Sequence, residues 1–256
     1  MNRRTLRGEA SCASVGVHTG AWCEARLGPA PFGSGLVFRV GGVDVPAALA
    51  HASADGGYTA LERAGARIVT AEHLLAALDA LGVTDASIAV DGPEVPILDG
   101  SALGWVEAID RAGRVDGPPV EPFVPAAARV EAHGGAASVG AGDTLAVEVD
   151  FGDLAGALTV PRTEAAFRAE IAWARTFVRA SDVPRLQAAG RGRGASADNT
   201  VVWPDAPMRA ADEPVRHKLL DLWGDLALWG PWSGAATAAR GSHRLHLALA
   251  RAAYAR

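Results

Sequence analysis

A proline-rich segment in the middle of the chain constrains the fold more than any other feature. Residues 114–127, RVDGPPVEPFVPAA, carry four prolines and follow neither the helical nor the strand period of apolar residues. On each side, short strand-like stretches lead to a long apolar helix with a histidine near its start. We therefore interpret this segment as the linker between two domains, residues 1–117 and residues 118–256.

The helical pattern is strong in both halves. In residues 70–83, TAEHLLAALDALGV, leucines recur at helical spacing, Thr70 is a suitable N-cap and Gly82 a suitable end. Further helices are predicted over residues 103–113, 163–174, 213–230 and 241–255. Strands are predicted within residues 3–40, over 86–92, within 127–151 and over 199–203, with a loop over 180–200. The sequence thus predicts an α+β fold of two similar halves whose helices pack on each other.

Composition excludes several classes of protein. The chain has 256 residues, with 24 Lys or Arg against 29 Asp or Glu, so its net charge of −5 disfavours nucleic-acid binding. Two cysteines, Cys12 and Cys23, are too few for a disulfide framework. The first residues, MNRRTLRGEAS, lack the apolar core of a secretory signal, and no apolar run reaches the ~20 residues of a transmembrane helix. We expect a cytoplasmic globular protein without a transmembrane segment.

One helix carries a pattern compatible with metal binding. His217 and Asp221 are four residues apart, which places both side chains on the same helix face. An imidazole and a carboxylate at that spacing can share one zinc ion, although the same pattern also occurs on helix surfaces without metal. A hydrolytic site needs a third ligand, for which His73 is the candidate, and an open position for water.

Three further side chains could move protons. Glu72 precedes His73 and could act as a general base, or it could only favour the start of a helix through its charge. Asp225 lies one turn beyond Asp221 and could orient a histidine, or be solvated. His243, in the turn RGSH, could be a general acid or a helix-capping residue.

Taken together, the motifs carry a resemblance to a known family. They occur in order along almost the whole chain: VGVHTG (15–20), TAEHLLAALDALGV (70–83), EVPILDGSA (94–102), ARTF (174–177), DNTVV (198–202), VRHKLLDLWGDL (215–226) and GSH (241–243). This series resembles the zinc-dependent UDP-3-O-acyl-N-acetylglucosamine deacetylases of lipid A biosynthesis. The block that begins at Val215 is the most specific of them.

The resemblance implies a fold, a cofactor and a set of roles. Each domain would be a β-sheet with two main helices, and the helices would be sandwiched between the two sheets. Zn²⁺ would be bound by His73, His217 and Asp221, and iron can replace zinc in such sites. Glu72 would activate the zinc-bound water, and His243, oriented by Asp225, would be the general acid or stabilise the tetrahedral intermediate.

The resemblance also implies contacts with the substrate, an acylated nucleotide sugar. Thr176 would help to hold the oxyanion, Phe177 would pack against the sugar, and Lys218 would hydrogen-bond near the substrate. Lys218 is the single lysine beside 23 arginines, and it directly follows His217. A compact ammonium differs geometrically from a guanidinium. A site built around an ammonium would therefore explain why this position is lysine when every other basic position is arginine. We expect a monomer; an acylated substrate is also compatible with peripheral membrane association.

Two departures from the family pattern leave the substrate open. The insert at about residues 178–198, whose family counterpart forms an apolar channel for the acyl chain, is rich in arginine (Arg179, Arg185, Arg191 and Arg193). Arginine in the wall would weaken binding of an acyl chain. Near Ser138, where the family has a lysine that contacts the diphosphate, no basic residue is present. The alternatives are a deacetylase of a less lipidic N-acetyl sugar and a zinc-binding protein without activity.

Overall fold

A computed structural model describes residues 1–54 and 56–254. The first half of the chain forms ten strands and two helices. These are β1 (Asn2–Leu6), β2 (Ala10–Val15), β3 (Trp22–Gly28), β4 (Leu36–Val40), β5 (Val43–Pro46), β6 (Ala52–Ser53), β7 (Ala60–Arg63), β8 (Ala66–Val69), α1 (Glu72–Ala80), β9 (Ala86–Asp91), α2 (Leu103–Ala112) and β10 (Arg114–Pro119).

The second half has fewer strands and more helices. These elements are β11 (Ala128–Ala132), β12 (Gly135–Gly140), β13 (Thr144–Asp150), β14 (Ala155–Pro161), α3 (Glu164–Ala166), β15 (Phe177–Arg179), α4 (Val183–Ala188), β16 (Val201–Trp203), α5 (Glu213–Leu226), β17 (Ala235–Ala239) and α6 (His243–Tyr254). Short 3-10 turns cover Leu49–His51, Ala180–Asp182 and Ala227–Trp229, and a π turn covers Phe167–Ile171.

The two halves have the same sheet topology. The first half forms a five-stranded sheet in the order β2-β3-β9-β4-β5, and the second forms one in the order β11-β12-β17-β13-β14. In each sheet the strand that comes last in the sequence, β9 or β17, lies in the centre. It is parallel to one neighbour and antiparallel to the other. The similarity of the halves that the sequence indicates is therefore present in the strand order itself, and the predicted α+β class is confirmed.

The helices lie between the two sheets. Helix α2 packs on β2 and β3, α6 packs on β11 and β12, and α1 and α5 contact each other in the middle of the molecule. Helix α1 is buried on almost every side, with Asp79 as its only residue that is not fully buried. A helix that is buried all round needs apolar residues on every face, which explains the run LLAAL over residues 74–78.

Helices α1 and α5 touch through their backbones at one point. Gly224 of α5 lies against Glu72 of α1 so closely that a Cβ there would come within 2.7 Å of the Glu72 carbonyl carbon. Any larger residue would force the helices apart, since real Cβ atoms do not approach that closely. Further along the same contact, Trp223 Nε1 donates a hydrogen bond to Asp79 Oδ2 at 2.8 Å. The start of α1, where the candidate site begins, is thus held directly on α5.

Several local predictions were wrong. Thr70 is not the N-cap of α1: it has a left-handed φ of 60°, and its hydroxyl donates to the Val69 carbonyl at 2.6 Å. The segment predicted as a loop over 180–200 contains α4. The predicted helix over 163–174 is a short α turn followed by a π turn. The last predicted helix begins at His243, and its predicted final residue, Ala255, lies outside the described residues.

The proline-rich segment is only partly irregular. Its first part is strand β10, which pairs antiparallel with β1 at the other end of the first half. Proline is tolerated there because this two-stranded ribbon leaves edge positions whose N–H groups need no partner. The division of the chain at residues 117 and 118 remains a prediction.

Candidate metal and catalytic site

Three side chains that could bind a metal ion, from the two halves of the chain, meet where α1 and α5 cross. His73 comes from the first turn of α1, and His217 and Asp221 come from successive turns of α5. We call these three residues the first His–Asp cluster. Asp221 Oδ1 lies 3.4 Å from His217 Nε2 and 3.7 Å from His73 Nε2, and all three residues are buried. The pairing predicted from the i, i+4 spacing is thus joined by the predicted third residue.

The spacing of these donors fits a metal ion. Ligands about 2.1 Å from a tetrahedral zinc ion lie about 3.4 Å from one another, close to both measured separations. The two imidazole rings are nearly perpendicular, at 82°, with centroids 5.0 Å apart, so both Nε2 atoms approach the same carboxylate oxygen. Two histidines and one carboxylate form a donor set suited to catalytic zinc, which keeps its fourth position open.

The surroundings of His217 favour its metal-binding form. Burial lowers the pKa of His217 to about 4, against the opposing charge of Asp221, so the ring is neutral near pH 7. Nδ1 faces the Ala174 carbonyl at 3.5 Å, and Phe177 packs edge-on against the ring with centroids 5.7 Å apart. A neutral imidazole with its other nitrogen directed at a carbonyl is the arrangement that orients histidine ligands.

Lys218 contacts the carboxylate of the cluster directly. Its Nζ donates to Asp221 Oδ2 at 2.7 Å, and the other carboxylate oxygen, Oδ1, faces the two histidines. Burial opposes ionisation of Asp221, but the charges of Lys218, His217 and His243 hold its pKa well below the usual range. The single lysine therefore fixes and keeps ionised the carboxylate that the site needs.

Glu72 lies beside the cluster with one carboxylate oxygen already held. Its Oε2 accepts a hydrogen bond from the backbone N–H of Thr59 at 3.0 Å, and its Oε1 lies 3.9 Å from His243 Nε2. Burial raises the pKa of Glu72, although the neighbouring His243 and His73 oppose that shift. A carboxylate with a raised pKa and one free oxygen is suited to accept a proton.

Asp225, His243 and His246 form a second His–Asp cluster one helix turn away. Asp225 Oδ2 lies 2.8 Å from His243 Nδ1 and 2.7 Å from His246 Nδ1, and the Thr59 hydroxyl donates to Oδ1. Burial opposes charge here, but the carboxylates Asp225, Asp221 and Glu72 together raise the pKa of His243 to about 9. His243 is therefore cationic near pH 7, with Nε2 directed toward the first cluster.

Thr176 and Phe177 are held beside the clusters by a buried ion pair. Arg175 Nε contacts Glu213 Oε1 at 2.9 Å, and Glu213 also accepts the backbone N–H groups of Arg175 and Arg209. The ion pair thereby joins the ARTF segment to the start of α5. The Thr176 hydroxyl donates to the Gly100 carbonyl at 3.2 Å.

All the predicted site residues except Asp225 line one cavity of about 760 Å³. Asp225 lies behind it, fully buried, and reaches it only through His243. These side chains therefore face one space that is large enough for part of a small-molecule substrate.

Comparison with known proteins decides the family. Residues 3–255 match the model of the family LpxC, UDP-3-O-acyl N-acetylglycosamine deacetylase. The chain belongs to this family. It is 41% identical to a UDP-3-O-acyl-N-acetylglucosamine deacetylase of Thermosynechococcus vestitus over 98% of this chain and 93% of that protein. It is 39% identical to one of Phenylobacterium zucineum, over 100% and 94%, and 37% identical to one of Anaeromyxobacter dehalogenans, over 97% and 86%.

Membership of the deacetylase family makes the chain a hydrolase of a metalloenzyme family. The predicted resemblance is therefore confirmed, and so is the prediction that the chain is a deacetylase. In the described parts of the chain, no helix combines the length and the apolar character that a membrane span requires.

The insert does not have the arginine-lined wall that the sequence predicts. On β15, Val178 lines the cavity, whereas Arg179 contacts Asp153 and the Phe151 carbonyl. On α4, Val183 and Leu186 line the cavity, as residues three apart on one helix face can. Arg185 lies on another face of α4 and is 75% exposed.

Arg191 is the exception among the four arginines of the insert, since it does line the cavity. Ser138 lies outside the lining, with its hydroxyl 2.7 Å from that of Thr237. Basic side chains in the lining come from other positions, among them Lys218 and Arg244.

Sequence reasoning missed several residues that organise the site. Thr59 contacts both Glu72 and Asp225, His246 shares Asp225 with His243, and Glu213 holds the segment of Thr176. A role for His246 could have been suspected from the sequence, because this residue lies three positions after His243 on the same helix face. Thr59 had no such signal, since it lies in a loop, 13 positions before Glu72 and 166 before Asp225.

Proposed function

We propose that this chain is a zinc-dependent amidohydrolase that removes the N-acetyl group of UDP-3-O-acyl-N-acetylglucosamine in lipid A biosynthesis. The proposed dependence on zinc rests on the first His–Asp cluster. The distances between its buried donor atoms are close to those in a tetrahedral zinc site. The deacetylases to which the chain is similar, all named for UDP-3-O-acyl-N-acetylglucosamine, support the substrate. The cytoplasmic location and the monomeric state remain predictions.

His73, His217 and Asp221 would hold the ion. Bound there, zinc would supply Lewis-acid polarisation and make water a stronger acid. Lys218 keeps Asp221 ionised and presents its Oδ1 to the histidines, so it supports the donor set.

Glu72 is the proposed general base. Thr59 N–H fixes Oε2, which leaves Oε1 to take the proton of the water that attacks the acetyl carbonyl. Its raised pKa brings it nearer to neutrality, where a general base is most effective. The same carboxylic acid can return that proton later in the reaction.

His243 is the proposed source of positive charge and of a proton. Its Nε2 faces the first cluster, while Asp225 holds Nδ1 and stabilises the cation. As the C–N bond breaks, His243 Nε2–H can donate to the departing amine nitrogen, so that acetate and an amino sugar leave. Thr176 can contribute a further donor to the oxyanion, because a hydroxyl proton rotates freely about its C–O bond.

The cavity wall supports an acylated substrate. Val178, Val183 and Leu186 give the insert an apolar face, and burying an acyl chain there would gain about 0.8 kcal/mol per methylene. Phe177 packs on His217 and is positioned to contact the sugar. This apolar face favours the acylated sugar over a less lipidic one, and the presence of Glu72 and His243 favours catalysis over metal binding alone.

Metal analysis and a substrate pair test the proposal. Purified protein should contain about one zinc per chain, and it should deacetylate UDP-3-O-acyl-N-acetylglucosamine much faster than UDP-N-acetylglucosamine. Equal rates on both sugars would contradict the acyl part alone. A folded protein that neither binds zinc nor gains activity when zinc is added would contradict the whole proposal.

A further inference from the structure

Thr59 uses all three of its hydrogen-bonding groups within the site. Its backbone N–H donates to Glu72 Oε2 at 3.0 Å, its carbonyl accepts from Ala71 N at 3.2 Å, and its hydroxyl donates to Asp225 Oδ1. The residue has no exposed surface. Thr59 is therefore shielded from the substrate, and any effect that it has on the reaction must pass through the residues that it contacts.

The backbone of Thr59 is fixed to the first half of the chain. Glu72 is the first residue of α1, and Ala71 directly precedes it. Thr59 directly precedes β7, which pairs with β8, the strand that leads to the same helix. Two hydrogen bonds of its backbone thus hold Thr59 at one place relative to Glu72. The hydroxyl is then positioned from the half of the molecule that carries the proposed base.

The hydroxyl of Thr59 reaches a carboxylate of the second half. Asp225 of α5 accepts the ring nitrogens of His243 and His246 at Oδ2, and the Thr59 hydroxyl at the other oxygen, Oδ1. The same hydroxyl oxygen lies 3.4 Å from His243 Nδ1. Loss of the hydroxyl would leave Oδ1 without this donor. The carboxylate could then turn about its Cβ–Cγ bond and displace the His243 ring that it holds.

The separation of base and acid matters because both groups act on one amide. The base directs water to the carbonyl carbon, and the acid protonates the nitrogen one bond away, so the distance between the two groups must match that bond. Glu72 Oε1 and His243 Nε2 lie 3.9 Å apart, each on a different half of the chain. A misplacement of about 1 Å can lower a rate about 100-fold.

We propose that Thr59 is a positioning residue, whose hydroxyl holds the Asp225–His243 pair of the second half at a fixed distance from Glu72 of the first half. This inference rests on the proposed function. It gives one buried side chain a role in turnover that requires no contact with the substrate. A hydroxyl that only stabilised the fold would change the free energy of unfolding and leave the turnover of folded enzyme unchanged.

The test measures kcat, expressed per bound zinc, for Thr59→Val and Thr59→Ser on UDP-3-O-acyl-N-acetylglucosamine. Valine has the shape of threonine and keeps the backbone N–H, but it cannot donate to Asp225. We expect Thr59→Val to lower kcat about tenfold or more, with KM and zinc content unchanged, because an orienting hydrogen bond is lost. Thr59→Ser keeps the hydroxyl and should regain most of the activity.

Thr84→Val is the matched control. Thr84 is also buried, and its hydroxyl donates to Oδ2 of a buried aspartate, Asp85, at 2.7 Å, but this pair lies beyond the other end of α1. The variant should lose stability to a similar extent without a change of kcat per bound zinc. An equal loss of kcat in Thr84→Val would assign the effect of Thr59→Val to a general loss of stability and overturn the proposal.

A second background separates the hydroxyl from packing. In Asp225→Ala the hydroxyl has no carboxylate to hold, so the addition of Thr59→Val should lower kcat by less than about twofold. An equal loss in both backgrounds, a wild-type kcat in Thr59→Val, or an equal loss in Thr59→Ser would overturn the role of Thr59. A wild type that does not hydrolyse the acylated sugar would instead overturn the proposed function, and this role with it.

Discussion

The two His–Asp clusters have similar composition and different geometry. Each has two histidines and one aspartate, and each is buried. By the distances among its possible ligand atoms alone, which lie within 4.8 Å of one another, each cluster could hold a metal ion. In the first cluster the nitrogens lie 3.4 and 3.7 Å from the carboxylate oxygen, and in the second they lie 2.8 and 2.7 Å from it.

This difference in nitrogen–oxygen distance, about 1 Å or less, distinguishes a metal site from a hydrogen-bonded cluster. At about 2.7 to 2.9 Å a ring nitrogen and a carboxylate oxygen share a proton in a charge-assisted hydrogen bond. At about 3.4 Å they are spaced as two ligands of one zinc ion. Asp225 also accepts the Thr59 hydroxyl, so three groups already hold this carboxylate. We infer that the first cluster binds metal and the second holds a proton.

Removing a donor from the first cluster should have the largest effect. His217→Ala leaves two donors, one from each helix, and should lower the bound zinc to well under one per chain, with at least about a 10⁴-fold loss of kcat. Metal analysis and activity on the same sample measure both. Full zinc content in this variant would mean that the first cluster is not the metal site.

Glu72→Gln should separate catalysis from metal binding. The amide oxygen can still accept the Thr59 N–H, but it cannot take a proton from water. We expect about a 10²–10⁴-fold loss of kcat with zinc content unchanged. A variant that lost its zinc as well would show that Glu72 supports the first cluster rather than acting as the base.

Asp225→Asn tests the proton role of the second cluster through pH. Because the charge of Asp225 raises the pKa of His243 toward 9, its removal should lower that pKa, so the basic limb of the kcat profile should move to lower pH. At neutral pH we expect about a 10²-fold loss, typical of a general acid, with zinc retained. A drop in activity without any shift of the basic limb would contradict the assignment.

His246 should act only through Asp225. His246→Leu removes one of the two N–H groups from Asp225 Oδ2 and should reduce kcat about tenfold, a typical effect of a lost orienting hydrogen bond. In His246→Asn, the amide nitrogen can replace Nδ1, so most of the activity should return. If both variants were equally impaired, packing rather than hydrogen bonding would be the role of His246.

Lys218→Arg should give the smallest change. The guanidinium keeps the charge beside Asp221 but is larger than the ammonium that now lies 2.7 Å from Oδ2. We expect a loss of a few-fold, roughly 3- to 10-fold, in kcat/KM with the zinc affinity reduced in parallel. If the variant had the wild-type kcat/KM and the wild-type zinc affinity, the site would not require a lysine, and the single lysine would be a chance feature of the composition.

The sequence predicted the elements with strong periodicity and the residues that lie on them. Helices α1 and α5 were found from their apolar spacing, and His217 and Asp221 from their i, i+4 relation. His73, whose role depends on a contact with α5, was named as the third ligand, but Thr59 was not found from the sequence. Thr59 contacts Asp225 across 166 positions, and no local pattern encodes that contact.

The insert shows a second limit of prediction from the sequence, which concerns the direction of side chains. Its composition suggested a wall of arginine, but composition does not indicate which face a side chain occupies. On α4, three-residue spacing directs Val183 and Leu186 toward the cavity and leaves Arg185 exposed, while on β15 Val178 lines the cavity and Arg179 contacts Asp153. The prediction failed because α4 lies within the segment that was interpreted as loop, where no helix face could be assigned.

The backbone contact at Gly224 has a consequence for how the enzyme can diverge. Because Gly224 touches Glu72 without any side chain between them, the distance between the two ligand-bearing helices is set by main-chain atoms. Apolar substitutions elsewhere between the sheets should therefore change the free energy of unfolding while leaving zinc affinity nearly constant. Thermal tolerance and metal affinity can then evolve separately, provided that one glycine stays in place.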